Sequence, residues 1–398
     1  MRCKITKKKI KPFMSFGKMP IANGFLKQKD FKKEFTFKME VGFSKDISLF
    51  QLNDHPKPTL MFNKNYPFFT SSSKFMVKHF KEYSKWVKKR YFKQTKNIIE
   101  IGSNDGTLLK NFKSKKTNIL GIEPSRNVAL IAKKKKINTL NKFFTYNNVK
   151  KLKQFKKKTD LICAANAICH VPDLKDLIKG VDTLLSKKGV FIFEEPYLGS
   201  MYERTSYDQI YDEHIFIFSL SSVKKIFDLF DFELIDAQKQ STHGGSMRYV
   251  IARKGEYMIK KIVKNLLKFE KKKHIDSIKG CLKFKKNCEK SRQILRKKIL
   301  NIKKQKKNIA GYAATSKSTT ILNYCGIDNS HIDFICDTTK DKIGKFTPKS
   351  HIPIVNVDYF RKNIPDYTFL FAWNHKNEIF NKEKNILNKT NWFAHINI

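Results

Sequence analysis

The chain has 398 residues, 40% of them hydrophobic and 13% aromatic, and a formal net charge of +47. This apolar content excludes global disorder, and the length allows two or three domains. The seven cysteines are scattered with no C-x-x-C pair, no run of about 18 apolar residues occurs, and no apolar h-region follows the basic N-terminus. A disulfide scaffold, a membrane span and a secretory leader are therefore not expected, and a reducing cytoplasm is.

The positive charge is spread along the whole chain, as at Lys7–Lys9, Lys133–Lys136, Lys156–Lys158, Lys271–Lys273 and Lys306–Lys307. No RNA-binding signature with interleaved aromatics accompanies it. We read it as a general surface bias toward Lys, without a specific nucleic-acid partner.

Residues 1–75 carry short apolar pieces with no clear period. Phe75–Phe92 has the spacing of an amphipathic helix. Strands are then expected at Asn97–Ile101, Ile119–Ile122, Asp160–Ala164, Val190–Phe193, Glu233–Ala237 and Arg248–Ala252. Helices are expected between them at Asn127–Lys135, Asp173–Leu185 and Ser222–Phe230. The alternation predicts an α/β fold, a mostly parallel sheet covered by helices on both faces. Residues 255–306 read as one or two long Lys-rich helices. A second α/β unit follows, with strands at Asn308–Ala313, His331–Cys336 and Tyr367–Ala372 and helices at Ser318–Tyr324 and from His375 to Ile379. The expected divisions are residues 1–75, 76–253 and 254–398.

The strand Asn97–Ile101 runs into Gly102-Ser103-Asn104-Asp105-Gly106, and a helix is expected from near Thr107. Glycines let the backbone turn tightly against a ligand, and a helix start offers free N–H groups. Glu123 ends the next strand, 21 residues after Gly102. A carboxylate there suits the two hydroxyls of a ribose. The pattern is E-x-G-x-x-x-G rather than the G-x-G-x-x-G that suits a pyrophosphate, which favours S-adenosylmethionine (SAM) over a dinucleotide. Glu100, Gly102, Asn104, Gly106 and Glu123 are the candidate cofactor residues. Asn166 joins them because it follows the strand Asp160–Ala164, at the carboxyl edge where open α/β sheets bind ligands.

Tyr207-Asp208-Gln209-Ile210-Tyr211-Asp212-Glu213-His214 is dense in titratable groups. A histidine works as a general base near neutral pH, and tyrosine hydroxyls donate to a developing oxyanion. At these residues the sequence resembles the sugar C-methyltransferases that act on nucleotide-linked keto-deoxysugars. The strings PIANGFL, EIGSNDGTLL, GIEPS, CHVPDL, FEEPYLG, YDQIYDEH, THGGSMR, GYAATSKSTTILNYCGI, HIPIV and FAWNH carry the resemblance over nearly the whole chain.

The resemblance implies a small N-terminal module, a central Rossmann-like SAM methyltransferase domain and a C-terminal Rossmann-like domain that helps hold the nucleotide sugar. It also implies a reaction. A base removes a proton beside the sugar ketone, and the enolate takes the methyl group of SAM. By position, Tyr211, Glu213 and His214 match the family's Tyr-x-Glu-His run, with His214 the base. Tyr211 and His170 would bind the ketone oxygen, and Tyr66 matches an N-terminal tyrosine of the site. Tyr197, His243, Arg248 and Lys317 are the candidate substrate contacts. The alternative is a methyltransferase acting on RNA or on another small molecule.

Two departures matter. The family carries a zinc site of two C-x-x-C pairs, but here only Cys3 remains; Thr6, Ser44 and Ile47 fill the other places. One thiolate cannot close a tetrahedral zinc site, so no zinc and no other metal is expected. Gly311-Tyr312-Ala313-Ala314-Thr315-Ser316-Lys317-Ser318 nearly spells a P-loop, but Ser316 stands where a phosphate-cradling turn needs glycine, so ATP hydrolysis is not expected.

Overall fold

The structure, a computed structural model, describes residues 1–64, 66–91 and 96–397. Three sheets organise it. Strands β1 (Pro12–Pro20), β2 (Thr36–Ser44) and β3 (Leu49–Leu52) form an antiparallel meander. No strand was expected there, and β1 shows why. It slips register between Pro12 and Met14 and again between Ser15 and Gly17. Each irregularity breaks the period-2 alternation by which a strand is recognised.

Strands β4 (Asn97–Ile101), β5 (Asn118–Ile122), β6 (Thr139–Leu140), β7 (Thr159–Ala165) and β8 (Leu185–Pro196) run parallel in the order β6-β5-β4-β7-β8. The two residues of β9 (Phe216–Ile217) lie outside this sheet and pair with β3, adding a fourth strand to the first one. A hairpin of β10 (Phe232–Gln240) and β11 (Ser246–Arg253) completes the central sheet, with β11 antiparallel between β8 and β10. The middle strands are buried on both faces and read as continuous apolar runs, as parallel strands do.

Helices Arg126–Lys134, Leu174–Leu184 and Leu220–Asp228 fall within two residues of expectation. The helix before β4 spans Lys74–Tyr91; Phe92, its expected end, lies outside the described residues. The helix expected from Thr107 is absent. A 3-10 turn at Leu109–Phe112 stands in its place, and Asn111 Nδ2 donates to the carbonyls of Thr107 and Leu108. That side chain satisfies acceptors that a continuing helix would have used.

The Lys-rich stretch forms helices Lys261–Lys272 and Ile278–Lys304. The third sheet is all parallel. Its strands are β12 (Ile309–Tyr312), β13 (Phe334–Asp337), β14 (Ile354–Asn356), β15 (Tyr367–Leu370) and β16 (Asn391–Phe393), in the order β14-β13-β12-β15-β16. The first and third sheets share one core. Phe16, Met19 and Phe50 pack with Ile321, Tyr324 and Cys325 of helix Ser316–Cys325. Each such side chain removed from water contributes roughly 1.5–3 kcal/mol, so the N-terminal meander is held against the C-terminal unit. No helix among the described residues is long and apolar enough to cross a membrane, and all seven cysteines are free and buried.

Candidate active site

The carboxyl ends of β4, β5, β7 and β8 lie on one edge of the central sheet, and the chain order reverses between β4 and β7. Gly102 follows β4 with φ +67°, Asn104 has φ 48° and Gly106 φ +76°. A Cβ on Gly102 would meet Ala167 Cβ at 2.6 Å. The loop therefore needs glycine for its conformation and for its closeness to the turn after β7.

Glu123 closes the loop from β5. Its Oε2 accepts from Asn104 N–H at 2.9 Å and its Oε1 from Ser125 N–H at 2.7 Å. Asn104 Oδ1 accepts from Thr70 N–H at 3.0 Å, and Asp105 Oδ2 from Ser71 N–H at 3.0 Å and Lys135 Nζ at 3.1 Å. These bonds draw residues 68–71 over the loop and bring Tyr66 to its mouth, where the Tyr66 carbonyl accepts from Asn127. Glu100 lies buried beneath. Burial pushes its carboxyl well up, and Glu123 and Asp105 add to the rise. The Oδ1 atoms of Asn127 and Asn166 are buried without a partner among the described residues. A glycine cradle, an acid at the end of β5 and free acceptors on either side fit an adenosyl cofactor.

Beyond this edge, Phe62, His170, His214 and Tyr211 form a column of rings with successive centroid distances of 5.4, 5.4 and 4.0 Å. His214 Nδ1 lies 2.7 Å from the carbonyl oxygen of Gln209. A carbonyl only accepts, so Nδ1 carries the proton. Nε2 is then the bare nitrogen, and it accepts from Tyr211 Oη at 2.7 Å. Burial, followed by His170, pushes the His214 pKa well down, so the ring is neutral. Burial pushes His170 down to about 4. Tyr66 and Tyr211 are pushed well up by burial and then by Glu213, so both phenols keep their protons. The site sets the Nε2 lone pair of His214 against the Tyr211 phenol, with the neutral His170 ring stacked on its other side.

His243, at φ 53° before Gly244, has its Nε2 buried without a partner among the described residues. Gln209 Nε2 donates to the His243 carbonyl. Lys317 belongs to the same region: its buried Nζ donates to Asn374 Oδ1 at 3.0 Å, lies 5.1 Å from the centre of the Trp373 ring, and adds to the burial that depresses both His243 and His214. Trp373 Nε1 donates to Asp208 Oδ2 at 2.9 Å, and Asp208 Oδ1 lies 3.2 Å from His395 Nε2.

Two candidate substrate residues are not part of this arrangement. Tyr197 is 1% exposed, and its hydroxyl donates to Glu270 Oε1 at 2.9 Å; the same carboxyl caps the helix Leu220–Asp228 at Leu220 and Ser221. Arg248 sits opposite Glu194 in the sheet register, donates from Nε to Glu194 Oε1 at 2.7 Å and from Nη1 to Gln238, and lies over Tyr83 and Trp86. Both side chains are committed to internal partners. In each case a polar residue within a motif string belongs to the packing beneath it.

The sequence reading missed Asn23, Gln209, Asp208 and Glu195. Glu195 Oε1 accepts from the N–H groups of Ala167 and Ile168 and so fixes the turn carrying His170, and burial raises its pKa to about 7. Asp208 and Gln209 stand in the dense YDQIYDEH string, which was the available signal. Asn23 stands in the PIANGFL string, but its role was hidden because its partner is 190 residues away.

Cys169, His170 and His214 have ligand-type atoms within 4.8 Å of one another. An imidazole lone pair lies in the ring plane. The two rings are stacked 21° from parallel, so their lone pairs do not converge on one ion. The N-terminal zinc position does not fit a metal either. Cys3 Sγ accepts from Thr6 N–H at 3.4 Å, and Ile47 packs with Cys3 and Ile5 in an apolar cluster. Burial raises the Cys3 thiol, but donors from Ser44 and Thr6 outweigh it. Hydrogen bonds and apolar packing occupy the place of the ion. Elemental analysis of the purified protein is expected to find zinc far below one per chain; one per chain would overturn this assignment.

Residues 3–62 match a zinc binding domain model, residues 76–237 a methyltransferase domain and residues 241–396 the C-methyltransferase C-terminal domain. C-methyltransferase NovU of Streptomyces niveus is 28% identical over 377 residues, covering 94% of this chain and 90% of that protein. Among solved structures, the PH0226 protein of Pyrococcus horikoshii aligns with TM-score 0.39 at 15% identity, over 47% of this chain and 95% of that one. An S-adenosylmethionine-dependent methyltransferase of Clostridium acetobutylicum aligns with TM-score 0.36 at 15% identity, over 44% of this chain and 92% of that one. With three models in succession along its length and a relative matched nearly end to end, the chain is similar throughout to C-methyltransferases and is a methyltransferase.

Proposed function

We propose that the enzyme methylates the carbon beside the ketone of a nucleotide-linked deoxysugar, with His214 as the base. The observation that carries this reading is the tautomer of His214, whose bare Nε2 faces Tyr211 while Nδ1–H is held by the Gln209 carbonyl. A proton beside a ketone is too weakly acidic for a neutral imidazole unless the enolate oxygen is stabilised. Tyr66, Tyr211 and His170 supply that stabilisation. When Tyr211 turns its hydroxyl to the ketone, it frees Nε2 to take the proton. SAM supplies the methyl group, held by Gly102, Asn104, Gly106, Glu123 and Asn166. His243 and Lys317 face the sugar and its diphosphate; a buried ammonium with a neutral hydrogen-bond partner suits an anion.

The test is incubation with nucleotide-linked 4-keto sugars in heavy water, with and without SAM. Deuterium is expected to enter beside the ketone without SAM, and a new C-methyl group to appear with it. Methylation of an oxygen or of RNA, with no exchange into the sugar, would overturn the proposal.

A further inference from the structure

The turn Pro20–Gly24 precedes the helix-rich and parallel parts of the chain, yet it reaches the catalytic loop. Ala22 N–H donates to Asp212 Oδ1 at 2.9 Å, and Asn23 Nδ2 donates to Glu213 Oε1 at 2.7 Å. The C-terminal unit grips the same place. Thr319 Oγ1 donates to the Ala22 carbonyl at 2.8 Å and Thr320 Oγ1 to the Ile210 carbonyl at 2.9 Å. On the downstream side Leu52 N–H donates to the Ile215 carbonyl at 2.8 Å, where β3 takes up β9. The loop from Ile210 to Ile215 is therefore a joint between the N-terminal meander and the C-terminal helix Ser316–Cys325.

Within that joint Glu213 is 4% exposed. The one hydrogen bond to its carboxyl among the described residues comes from Asn23. We propose that Asn23 is a positioning residue of the active site: its amide fixes the Glu213 carboxyl, so that the N-terminal module completes the catalytic loop. Asn23 acts through Glu213 and not on the reacting atoms. The role gives this module a use that needs no metal.

The groups facing the Glu213 carboxyl are Asp212 and Tyr211 on its own loop, Tyr66 from the segment before helix Lys74–Tyr91, and Cys169 from the turn after β7. Burial and then Asp212 push Glu213 up, and the Asn23 amide is the contact that brings it down. Loss of that donor moves the titration of Glu213 to higher pH, a change that a purely structural role for Asn23 does not cause.

The experiment compares wild type with Asn23→Ala and the nearly isosteric, uncharged Asn23→Leu. Infrared titration follows the carboxylic C=O band that is missing from Glu213→Gln. The kinetic arm rests on the C-methylation reading; the infrared arm does not. The expected result is a Glu213 midpoint displaced to higher pH in both variants. It is accompanied by a kcat lower by about 10²-fold, with SAM affinity and melting temperature retained in at least the nearly isosteric variant. An unchanged midpoint in a folded variant would overturn the proposal, whatever the kcat. A displaced midpoint in an enzyme that methylates no keto sugar would support the contact and count against the C-methylation reading.

Discussion

His214→Asn is expected to lower kcat by about 10²–10⁴-fold while leaving SAM affinity unchanged. Asn keeps a polar group near Gln209 but has no basic lone pair at the position of Nε2. The ring contributes nothing to the glycine loop or to Glu123, so the cofactor should bind as before. Rapid-quench turnover and calorimetric SAM binding separate the two effects. A loss smaller than about tenfold would remove His214 from the role of base. The pH dependence follows from the same geometry. Burial and His170 depress the His214 pKa, and the base must be neutral to act. The acid limb of kcat/KM that belongs to it should therefore lie below about pH 6.5, the ordinary imidazole value.

Arg248→Met is expected to destabilise the fold by about 3–5 kcal/mol without a specific effect on sugar affinity. Arg248 and Glu194 form a pair with side chains 3% and 1% exposed. Burial alone would raise the Glu194 pKa, but Arg248 and then His79, whose Nε2 is 2.6 Å from Oε2, hold it down. A methionine fills part of the space over Tyr83 and leaves the carboxylate with His79 alone. The sign with pH is fixed. A carboxyl with a depressed folded pKa contributes stability above its unfolded value of about 4.3, and that stability is lost as pH falls through the folded pKa. The gap between wild type and variant in melting temperature should thus be largest near neutrality and shrink in acid. A variant that melts like wild type but binds the sugar poorly would return Arg248 to the substrate site.

The parallel part of the central sheet was readable because β4, β5 and β7 are mostly apolar runs. Such runs stay buried on both faces whatever surrounds them. Strand ends were less readable: β8 runs from Leu185 to Pro196, well beyond Val190–Phe193, because Lys187 and Lys188 disguise its exposed start. The N-terminal meander was unreadable for another reason. Its register slips hide the alternation, and its apolar residues are satisfied by helix Ser316–Cys325, about 300 positions later in the chain.

The site divides along the same line. By itself the sequence determined the candidate cofactor loop, since Gly102, Gly106 and Glu123 are set by local backbone conformation and by the strand ends that carry them. It also determined the candidate catalytic string, because Tyr211 and His214 are three residues apart and meet within one turn. Only the tertiary structure decided which nitrogen of His214 is bare, since that depends on where the Gln209 carbonyl lies. It likewise decided that Arg248 and Tyr197 serve internal carboxylates, and that Asn23 reaches Glu213. A hydrogen bond between residues far apart in the chain leaves no spacing to read; its partners are chosen by the packing of the three sheets around the loop that they share.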